Sequence, residues 1–287
     1  MQIQWYPGHM TKAVRQMKED MKLIDLVIEI CDARIPVSSR NPEIDSLAGG
    51  KERIVLFNKE DLADASVTEE WIRYFSEQGV FAAAIDARKK QSLRKVDAVV
   101  ERATAKKRER DERRGIRPRP VRTMIVGIPN SGKSTFINSY AGKARAKTGN
   151  KPGVTKGKQW IRPNKRLELL DTPGILWPKF EDESVGLHLA CVGSIRDEIF
   201  ETTELVIQLM DMVASDYPQA LAETYGIDGI DGYDFLKSFA EKFGCLRTGG
   251  EADIEKAGAM LLNDFRSGKW GRISLERIEN TTGEGKE

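Results

Sequence analysis

One short motif has the residue types that bind the phosphates of a nucleoside triphosphate. The segment from Gly127 to Ser134 reads G-I-P-N-S-G-K-S and fits the pattern GxxxxGKS. In this pattern backbone N–H groups surround the phosphates, Lys133 reaches the β- and γ-phosphates, and Ser134 supplies a hydroxyl to Mg²⁺. A chance glycine-rich turn is the alternative, but this segment follows a predicted strand and opens a predicted helix. The predicted phosphate contacts are Pro129, Asn130, Ser131, Gly132, Lys133, Ser134 and Thr135.

A second motif has the groups that distinguish guanine from adenine. The run Asn58-Lys59-Glu60-Asp61 reads NKxD. The Asp61 carboxylate can accept hydrogen bonds from guanine N1–H and N2–H₂, a donor pattern that adenine lacks. We expect Asn58 to tie this loop to the phosphate loop and the Lys59 stem to lie over the purine. The turn Asp86-Ala87-Arg88 is expected to bring a backbone N–H to guanine O6.

A third motif predicts the groups that respond to the γ-phosphate. The run Asp171-Thr-Pro-Gly174 has the form DxxG, in which Asp171 holds Mg²⁺ through water and the Gly174 N–H contacts the γ-phosphate. Thr155 lies between this motif and the phosphate loop, so its hydroxyl is the predicted switch ligand of Mg²⁺. Many GTPases have a glutamine after DxxG to orient water, but Ile175 stands there and cannot form a hydrogen bond with water. Slow hydrolysis by the free protein is therefore expected.

The order of these motifs predicts an unusual connectivity. In an ordinary GTPase the phosphate loop precedes the base-reading motif, whereas here Asn58 precedes Gly127 in the chain. This inversion indicates a circularly permuted nucleotide-binding domain.

The predicted elements can hold these motifs at one edge of a sheet. Short apolar runs alternate with helical segments, which predicts an α/β fold with a mostly parallel sheet and helices on both faces. Each motif directly follows a predicted strand, where open α/β sheets bind ligands. The predicted strands are Leu26–Ile30, Arg53–Phe57, Val80–Ile85, Arg122–Val126 and Leu167–Leu170, and the predicted helices are Met10–Leu23, Val67–Gln78, Leu93–Arg114 and one beginning with Ser134–Tyr140.

A second, all-helical domain is predicted after the sheet. β-branched runs disappear beyond residue 178, and apolar residues such as Leu205, Leu209 and Val213 recur at helical spacing. We therefore predict a permuted domain over residues 1–178 and a small helical domain over 179–287. The segment Leu176–Phe180 would connect the γ-phosphate sensor directly to the helical domain, so loss of a phosphate contact could reposition that domain.

Composition restricts the class of protein but not its partner. The 287 residues are 40% hydrophobic and 31% charged with a net charge of +2, which excludes a disordered chain and does not by itself indicate nucleic-acid binding. The N-terminus lacks the features of a signal peptide, and no apolar run is long enough for a membrane span. Three scattered cysteines fit a reducing compartment. A cytoplasmic monomer without membrane contact is expected.

Two basic segments are candidate RNA contacts. Residues 103–120 contain eight Lys or Arg and three Asp or Glu. The second segment combines Arg266, Lys269, Trp270 and Arg272. Such patches can neutralise phosphates, but a solvated helix face and a linker would have the same composition, so both interpretations stay open.

With these residues identified, the chain resembles the circularly permuted GTPases, and within them the ribosome biogenesis GTPase A (RbgA/YlqF) family. The likeness includes Ile3–Met10, the run Asp32-Ala-Arg-Ile-Pro36, the P-G-V-T-K-G run at 152–157, and Leu170–Phe180. Ser131 departs from the valine that is frequent there, and it leaves the backbone of the loop unchanged. The resemblance implies a GTPase that acts in maturation of the large ribosomal subunit, with the helical domain docking on ribosomal RNA and proteins.

The resemblance also implies catalytic devices. It implies that His9, in a turn-prone segment and one of two histidines, acts in GTP hydrolysis, and the alternative is that His9 is a structural residue of the N-terminal segment. It implies that Asn130 helps to seat K⁺ against the phosphates, against the alternative of a turn asparagine. Two other functions stay open: a module whose fold GTP merely stabilises, and a signalling GTPase with a protein partner and no RNA.

Overall fold

The computed structural model describes residues 8–142, 159–176, 182–227 and 232–281. We call residues 8–176 the α/β part and residues 182–281 the helical part. Within the described residues, six strands form one sheet in the order β3-β2-β1-β4-β6-β5. Their bounds are β1 Leu26–Asp32, β2 Glu52–Asn58, β3 Phe81–Ile85, β4 Val121–Val126, β5 Gln159–Ile161 and β6 Leu167–Asp171.

The sheet is parallel apart from β5, which pairs with β6 antiparallel. The central strand β1 pairs with β2 on one side and β4 on the other, and all seven of its residues are buried. Strands β2 and β3 are added in chain order on one side of β1, and the next strand, β4, lies on the opposite side of β1. The carboxyl ends of β1 and β4 therefore lie at the point where the connections diverge, which is where such sheets bind ligands.

Helices cover both faces of the sheet, as predicted. The described helices of the α/β part are α1 Gly8–Met21, α2 Glu43–Ala48, α3 Ala65–Glu77, α4 Lys90–Ala103, α5 Ala105–Arg113 and α6 Lys133–Ala141. Because successive residues of a strand point to opposite faces, Leu26 and Ile28 pack with α4 and α6 while Val27 packs with α1 and α2. Helix α3 covers the same face as α1 and α2 further along the sheet, through Trp71 and Phe75.

The helical part has its own apolar core. Its described helices are α7 Glu183–Cys191, α8 Thr202–Asp216, α9 Ala220–Tyr225, α10 Gly232–Phe243, α11 Ile254–Ser267 and α12 Ile278–Thr281, with a short 3₁₀ turn at Asp197–Ile199. Side chains such as Leu209 and Phe239 form a cluster that also includes Ile35, Ile128 and Leu176 from the α/β part. The helical part therefore packs against the nucleotide-binding loops. The predicted boundary at residue 178 falls outside the described residues and stays a prediction.

Three local expectations differ from the structure. The predicted helix over Leu93–Arg114 is divided at Thr104, which separates α4 from α5. The Thr104 hydroxyl donates to Val100 O at 2.8 Å, a local bond that competes with a regular helix. Helix α2 and strand β5 were not predicted, because six and three residues are too few to produce a clear periodicity.

In the part of the chain that the structure describes, no helix combines the length and the apolarity needed to cross a bilayer.

Candidate nucleotide-binding site

A cleft of about 1270 Å³ opens at the carboxyl ends of the parallel strands. The loops after β2, β3, β4 and β6 form its walls together with residues of the helical part. Thirteen predicted site residues line it: Asn58, Lys59, Asp61, Asp86, Ala87, Arg88, Pro129, Asn130, Gly132, Lys133, Ser134, Thr135 and Gly174. Two further predicted residues are buried: Ser131 within the phosphate loop and Asp171 at the end of β6. The structure thus brings together residues that are far apart in the chain.

The phosphate loop depends on two glycines at close backbone contacts. Gly127 has φ +145°, and a Cβ there would lie 2.4 Å from Ile30 O. Gly132 has φ +94°, and a Cβ there would lie 2.1 Å from Asn58 Nδ2. Both positions require a residue without a side chain. Helix α6 begins at Lys133, so its N-terminus and the preceding N–H groups face the cleft. This arrangement suits an anion.

Lys133 is held inside the same loop. Its buried Nζ donates to Gly127 O at 3.0 Å and to Ile128 O at 2.9 Å. Burial lowers the pKa of Lys133 to about 8, although the Asp171 carboxylate opposes this shift. A phosphate group would replace two neutral carbonyl partners with a charged one, so this lysine is well prepared to bind an anion.

The Asn58 amide joins the three loops. Its Nδ2 donates to Ser131 O at 2.8 Å in the phosphate loop, and its Oδ1 accepts from Ala87 N at 3.0 Å after β3. The second bond bears on the predicted contact with guanine O6. The Asp86 and Arg88 N–H groups also donate within the protein, to Ser92 Oγ and to Asp86 Oδ1. The contact with O6 therefore requires one of these N–H groups to exchange or share its partner.

The Lys59 side chain is held in an extended position by a buried acidic partner, Asp32. It has φ +63°, an uncommon conformation for a residue with a side chain, and its Nζ lies 2.8 Å from Asp32 Oδ2. Asp32 also accepts two bonds from the Arg34 guanidinium, at 3.0 and 2.9 Å. Burial opposes ionisation of Asp32, but Arg34 and Lys59 outweigh it and lower the carboxyl pKa. This network holds the Lys59 stem along the cleft, and no role for Asp32 or Arg34 in the site had been predicted.

Arg88 connects the base-reading carboxylate to the loop after β3. Its Nη2 donates to Asp61 Oδ2 at 2.7 Å, and its Nε donates to Asp86 Oδ1 at 2.9 Å. The bond from Arg88 lowers the pKa of Asp86 to about 2, and the bond to Asp86 raises the pKa of Arg88. A carboxylate has about four acceptor sites, so Asp61 can keep this partner and still accept from a base.

The DxxG turn lies directly against the phosphate loop. A Cβ at Gly174 would be 2.9 Å from Lys133 Nζ and 3.0 Å from Pro129 Cα. The Ile175 N–H donates to Gly127 O at 3.3 Å, which links the turn to the loop. The Ile175 side chain is buried in the cluster formed by α1 and α2, so it points away from the cleft.

The structure describes the three remaining predicted residues, Thr155, His9 and Asn130, to different extents. Thr155 lies outside the described residues. The backbone of His9 is part of α1, but the structure does not describe its side chain. Asn130 has φ +59°, and its Nδ2 donates to Gly193 O at 2.6 Å in the helical part. A K⁺ ion would need the amide oxygen of Asn130, which this bond does not use.

The helical part supplies a wall of the cleft that sequence reasoning missed. This wall includes residues 192–198 after α7 and the end of α11. Arg266 stiffens it by donating to Ala190 O, to Cys191 O and to both Asp197 carboxylate oxygens. No motif in the helical part indicates this contact, because it depends on how two distant segments pack.

Comparison with known proteins finds GTPases among the relatives of this chain. The family model described as "50S ribosome-binding GTPase" matches residues 122–231. Ribosome biogenesis GTPase A of Bacillus cereus is 46% identical over 97% of this chain and 95% of its own length. The protein of the same name from Thermotoga maritima is 36% identical over 98% of this chain and 96% of its own length.

Solved structures of YlqF from Thermotoga maritima are also similar to this chain. The GDP-bound structure of Thermotoga maritima YlqF has a TM-score of 0.68 and 30% identity, and it covers 92% of this chain and all of that one. The GNP-bound structure has a TM-score of 0.66 and 31% identity, with coverage of 93% and 99%. The match over almost the whole length, the permuted order of the motifs and their convergence in one cleft lead to one conclusion: the chain belongs to the ribosome biogenesis GTPase A family of circularly permuted GTPases.

Proposed function

We propose that this GTPase is an assembly factor for the large ribosomal subunit, in which the bound nucleotide controls the helical part. The observation that carries the proposal is the convergence of the phosphate, base-reading and DxxG loops in one cleft that the helical part helps to enclose. The relatives named for ribosome biogenesis support the cellular role, and the GDP- and GNP-bound neighbours support guanine nucleotides as ligands. The bacterial cytoplasm is the expected location, and a monomer is the expected state.

The loops suggest how GTP would be bound. Lys133 and the N–H groups from Pro129 to Thr135 would contact the phosphates, because they surround the start of α6. Asp61 would accept from guanine N1–H and N2–H₂, and the Lys59 stem would cover the ring. Asn58 would keep both regions in register through its bonds to Ser131 and Ala87.

The donor set fits Mg²⁺, which prefers hard oxygen ligands. Ser134 lines the cleft in the first turn of α6, and the Asp171 carboxylate is close enough to Lys133 to influence its pKa. Ser134, Asp171 and Thr155 are the residues that would hold the ion, directly or through water. When bound, Mg²⁺ would offset the negative charge of the β- and γ-phosphate oxygens.

Catalysis is assigned to His9, with K⁺ near Asn130 as a second contribution. The buried Ile175 side chain cannot orient water, so another group must do so. Helix α1, which includes His9, packs through Met17 and Met21 in the same cluster as Ile175. The helix therefore lies beside the DxxG turn, and this supports His9 as the candidate.

Coupling to the helical part is supported by contacts at the phosphate end of the cleft. Ile128 and Leu176 are buried in the core of the helical part, and Asn130 donates to Gly193 O. Gly174, the predicted γ-phosphate contact, is two residues before Leu176. A shift of this turn on loss of the γ-phosphate would act directly on the helical core.

For RNA contact, the structure favours the first basic segment over the second. In the second segment, Trp270 is buried and donates to Tyr225 OH, Lys269 pairs with Asp264, and Arg272 donates to backbone carbonyls. These groups serve intramolecular contacts. Helix α5, in contrast, has no buried residue, and Lys106, Arg114 and Arg117 form no ion pair with the described residues. Helix α5 and the residues after it are the proposed phosphate-binding surface.

GTP turnover with and without purified large subunits, in potassium and then in sodium, tests the proposal. We expect at least tenfold acceleration by large subunits, a faster rate in potassium, and loss of most activity in His9→Ala. Small subunits at equal RNA mass are the control. Equal acceleration by both subunits, or none by either, would contradict an assembly role at the large subunit.

The same assay tests α5. Changing Lys106, Arg114 and Arg117 to Glu should raise the concentration of subunits needed for half-maximal acceleration. The control changes Lys22, Arg73 and Arg94, which are exposed outside α5, to Glu. It alters the net charge equally and should have little effect on the concentration of subunits needed.

A signalling GTPase with a protein partner and no RNA is the second candidate. Normal turnover that ignores ribosomal subunits and RNA would favour it.

A further inference from the structure

A segment near the end of the helical part runs along the base-reading loop. Residues 272–278, which we call the C-terminal strap, connect the region after α11 to α12. The Ile273 N–H donates to Leu62 O at 3.0 Å, and the Leu275 N–H donates to Arg34 O at 2.8 Å. Ser274 Oγ accepts from the Asp64 N–H at 3.1 Å. The strap therefore runs along the loop that contains Asp61.

Arg272 holds the two sides of that loop at once. Its Nε donates to Ala63 O at 2.8 Å, and its Nη2 donates to Glu60 O at 2.7 Å. With the bond from Ile273 to Leu62, the strap engages three carbonyls within four residues, on both sides of Asp61. The planar guanidinium has its donors in a fixed fork, so it sets the separation of the two carbonyls that it joins.

The opposite side of the loop is also restrained. The Glu60 N–H donates to Ile85 O at 3.1 Å, and the Leu62 N–H donates to Lys59 O at 2.9 Å. A Cβ at Gly268 would lie 2.6 Å from Leu62 Cδ2, so the end of α11 is in close contact with the loop. The loop is thus enclosed between β3 and the helical part, and Arg272 is the side chain that spans it.

The strap is itself firmly anchored. The Glu276 carboxylate accepts from the Val37 and Ser38 N–H groups at 2.6 and 3.0 Å and lies 3.0 Å from His188 Nδ1. The Trp71 Nε1–H donates to Glu276 O at 3.1 Å. Arg272 therefore projects from a backbone whose position is determined by both parts of the protein.

We infer that Arg272 is a positioning residue for guanine recognition, which acts by fixing the loop that presents Asp61. This inference rests on the proposed role of Asp61. A carboxylate that accepts two bonds from a base must be placed accurately, and small displacements weaken hydrogen bonds steeply. Arg272 is exposed to solvent, so its replacement leaves no cavity and no buried unpaired charge. Its loss should loosen the loop and leave the fold intact.

The test compares the affinities of the full-length protein for GDP and inosine diphosphate. Inosine lacks the 2-amino group that Asp61 is proposed to bind, so the ratio of the two dissociation constants reports on the placement of Asp61. We expect Arg272→Ala to reduce the preference for GDP about three- to tenfold, the loss of about one hydrogen bond. Arg272→Lys should restore the preference only in part, because a lysine cannot bridge both carbonyls.

Arg277→Ala is the matched control. Arg277 is in the same strap, but its guanidinium pairs with Asp216 in the helical part, 2.9 Å from Nε to Oδ2. Its removal should leave the ratio unchanged. If Arg272→Ala weakens both nucleotides equally, or changes neither, Arg272 is structural only and the inference is wrong.

Asp61→Asn separates failure of this inference from failure of the proposed site. That variant should lose affinity for GDP and gain affinity for xanthosine diphosphate. If it does so while Arg272→Ala leaves the ratio intact, only the positioning role fails. Unchanged GDP affinity in Asp61→Asn would instead refute the proposed base contact, and with it the role of Arg272.

Discussion

At the scale of single residues, the site is organised by polar side chains that hold its loops in place, some of them buried (Asn58, Lys133) and one exposed (Arg88). Asn58 donates to the phosphate loop and accepts from the loop after β3, so one amide determines the distance between them. Arg88 does the same for the Asp61 and Asp86 carboxylates. Lys133 is enclosed by carbonyls of its own loop. These groups are largely in place before any ligand binds, which reduces the cost of ordering them.

The lowered pKa of Lys133 predicts a pH dependence of nucleotide affinity. The free protein loses the Lys133 charge as the pH rises through about 8. Phosphate groups favour the charged lysine, so binding must take up a proton above that pH, and GDP affinity should fall as the pH rises. We expect up to about tenfold weaker binding at pH 9 than at pH 7, measured by titration calorimetry.

Lys133→Arg is the control for this dependence. A guanidinium stays charged throughout this range. The GDP affinity of the variant, even if lower overall, should therefore lack the additional decrease with rising pH. Guanine titrates equally in both proteins, and the difference between them isolates the lysine. Parallel slopes in the two proteins would show that Lys133 does not titrate in this range.

At the scale of elements, α6 shows how one short helix connects phosphate binding to the fold. It is flanked by Gly132 before its first residue and Gly142 after its last, and both glycines have positive φ. Their surroundings differ. A Cβ at Gly132 would meet Asn58 Nδ2 at 2.1 Å, whereas a Cβ at Gly142 has nothing within 4 Å. A substitution at either glycine therefore strains the backbone, but only a substitution at Gly132 also disturbs the Asn58 contact that joins the loops.

We expect Gly132→Ala to reduce the free energy of unfolding by about 2–4 kcal/mol and GDP affinity more than tenfold, because Asn58 must give up its two bonds. Gly142→Ala should cost only about 1 kcal/mol, from the positive φ alone, and should leave GDP affinity unchanged. Chemical denaturation and GDP titration of both variants provide the measurements. Equal effects of the two substitutions would show that the contact with Asn58 is unimportant.

At the scale of the whole molecule, the helical part contacts the nucleotide-binding loops at two places. At the phosphate end it contacts Asn130, Ile128 and Leu176, and at the base end it contacts the Asp61 loop through the C-terminal strap. The base is the same in GTP and GDP, but the γ-phosphate is not. The strap contact should therefore persist through the cycle while the phosphate-end contacts change. We therefore predict that the strap is the pivot of any movement of the helical part.

Small-angle scattering of the intact protein tests this movement. Curves recorded with GDP and with a non-hydrolysable GTP analogue should differ, since rotation about the strap changes the distance between the two parts. Asn130→Ala, which removes the bond to Gly193, should reduce the difference. Superimposable curves in the two nucleotide states would rule out repositioning on this scale.

Local sequence was sufficient to predict the fold class and most of the residues that line the candidate site, for a physical reason. Five of the six strands were predicted, because buried strands are continuous apolar runs. The motifs follow those strands directly, and the carboxyl ends of parallel strands meet at one edge. The role proposed for a residue such as Lys133 follows from its side chain and its place in a short loop. The permuted order of the motifs was also visible without a structure.

What only the tertiary structure decided is which distant groups meet. The basic residues near the C-terminus were interpreted as candidates for RNA contact, but Arg272 donates to carbonyls beside Asp61 and Trp270 is buried. The wall formed by residues 192–198 had no sequence signal at all. A cationic side chain has the same local pattern whether it meets a phosphate, a carboxylate or a backbone carbonyl. Only the packing of the helical part against the α/β part determines that partner.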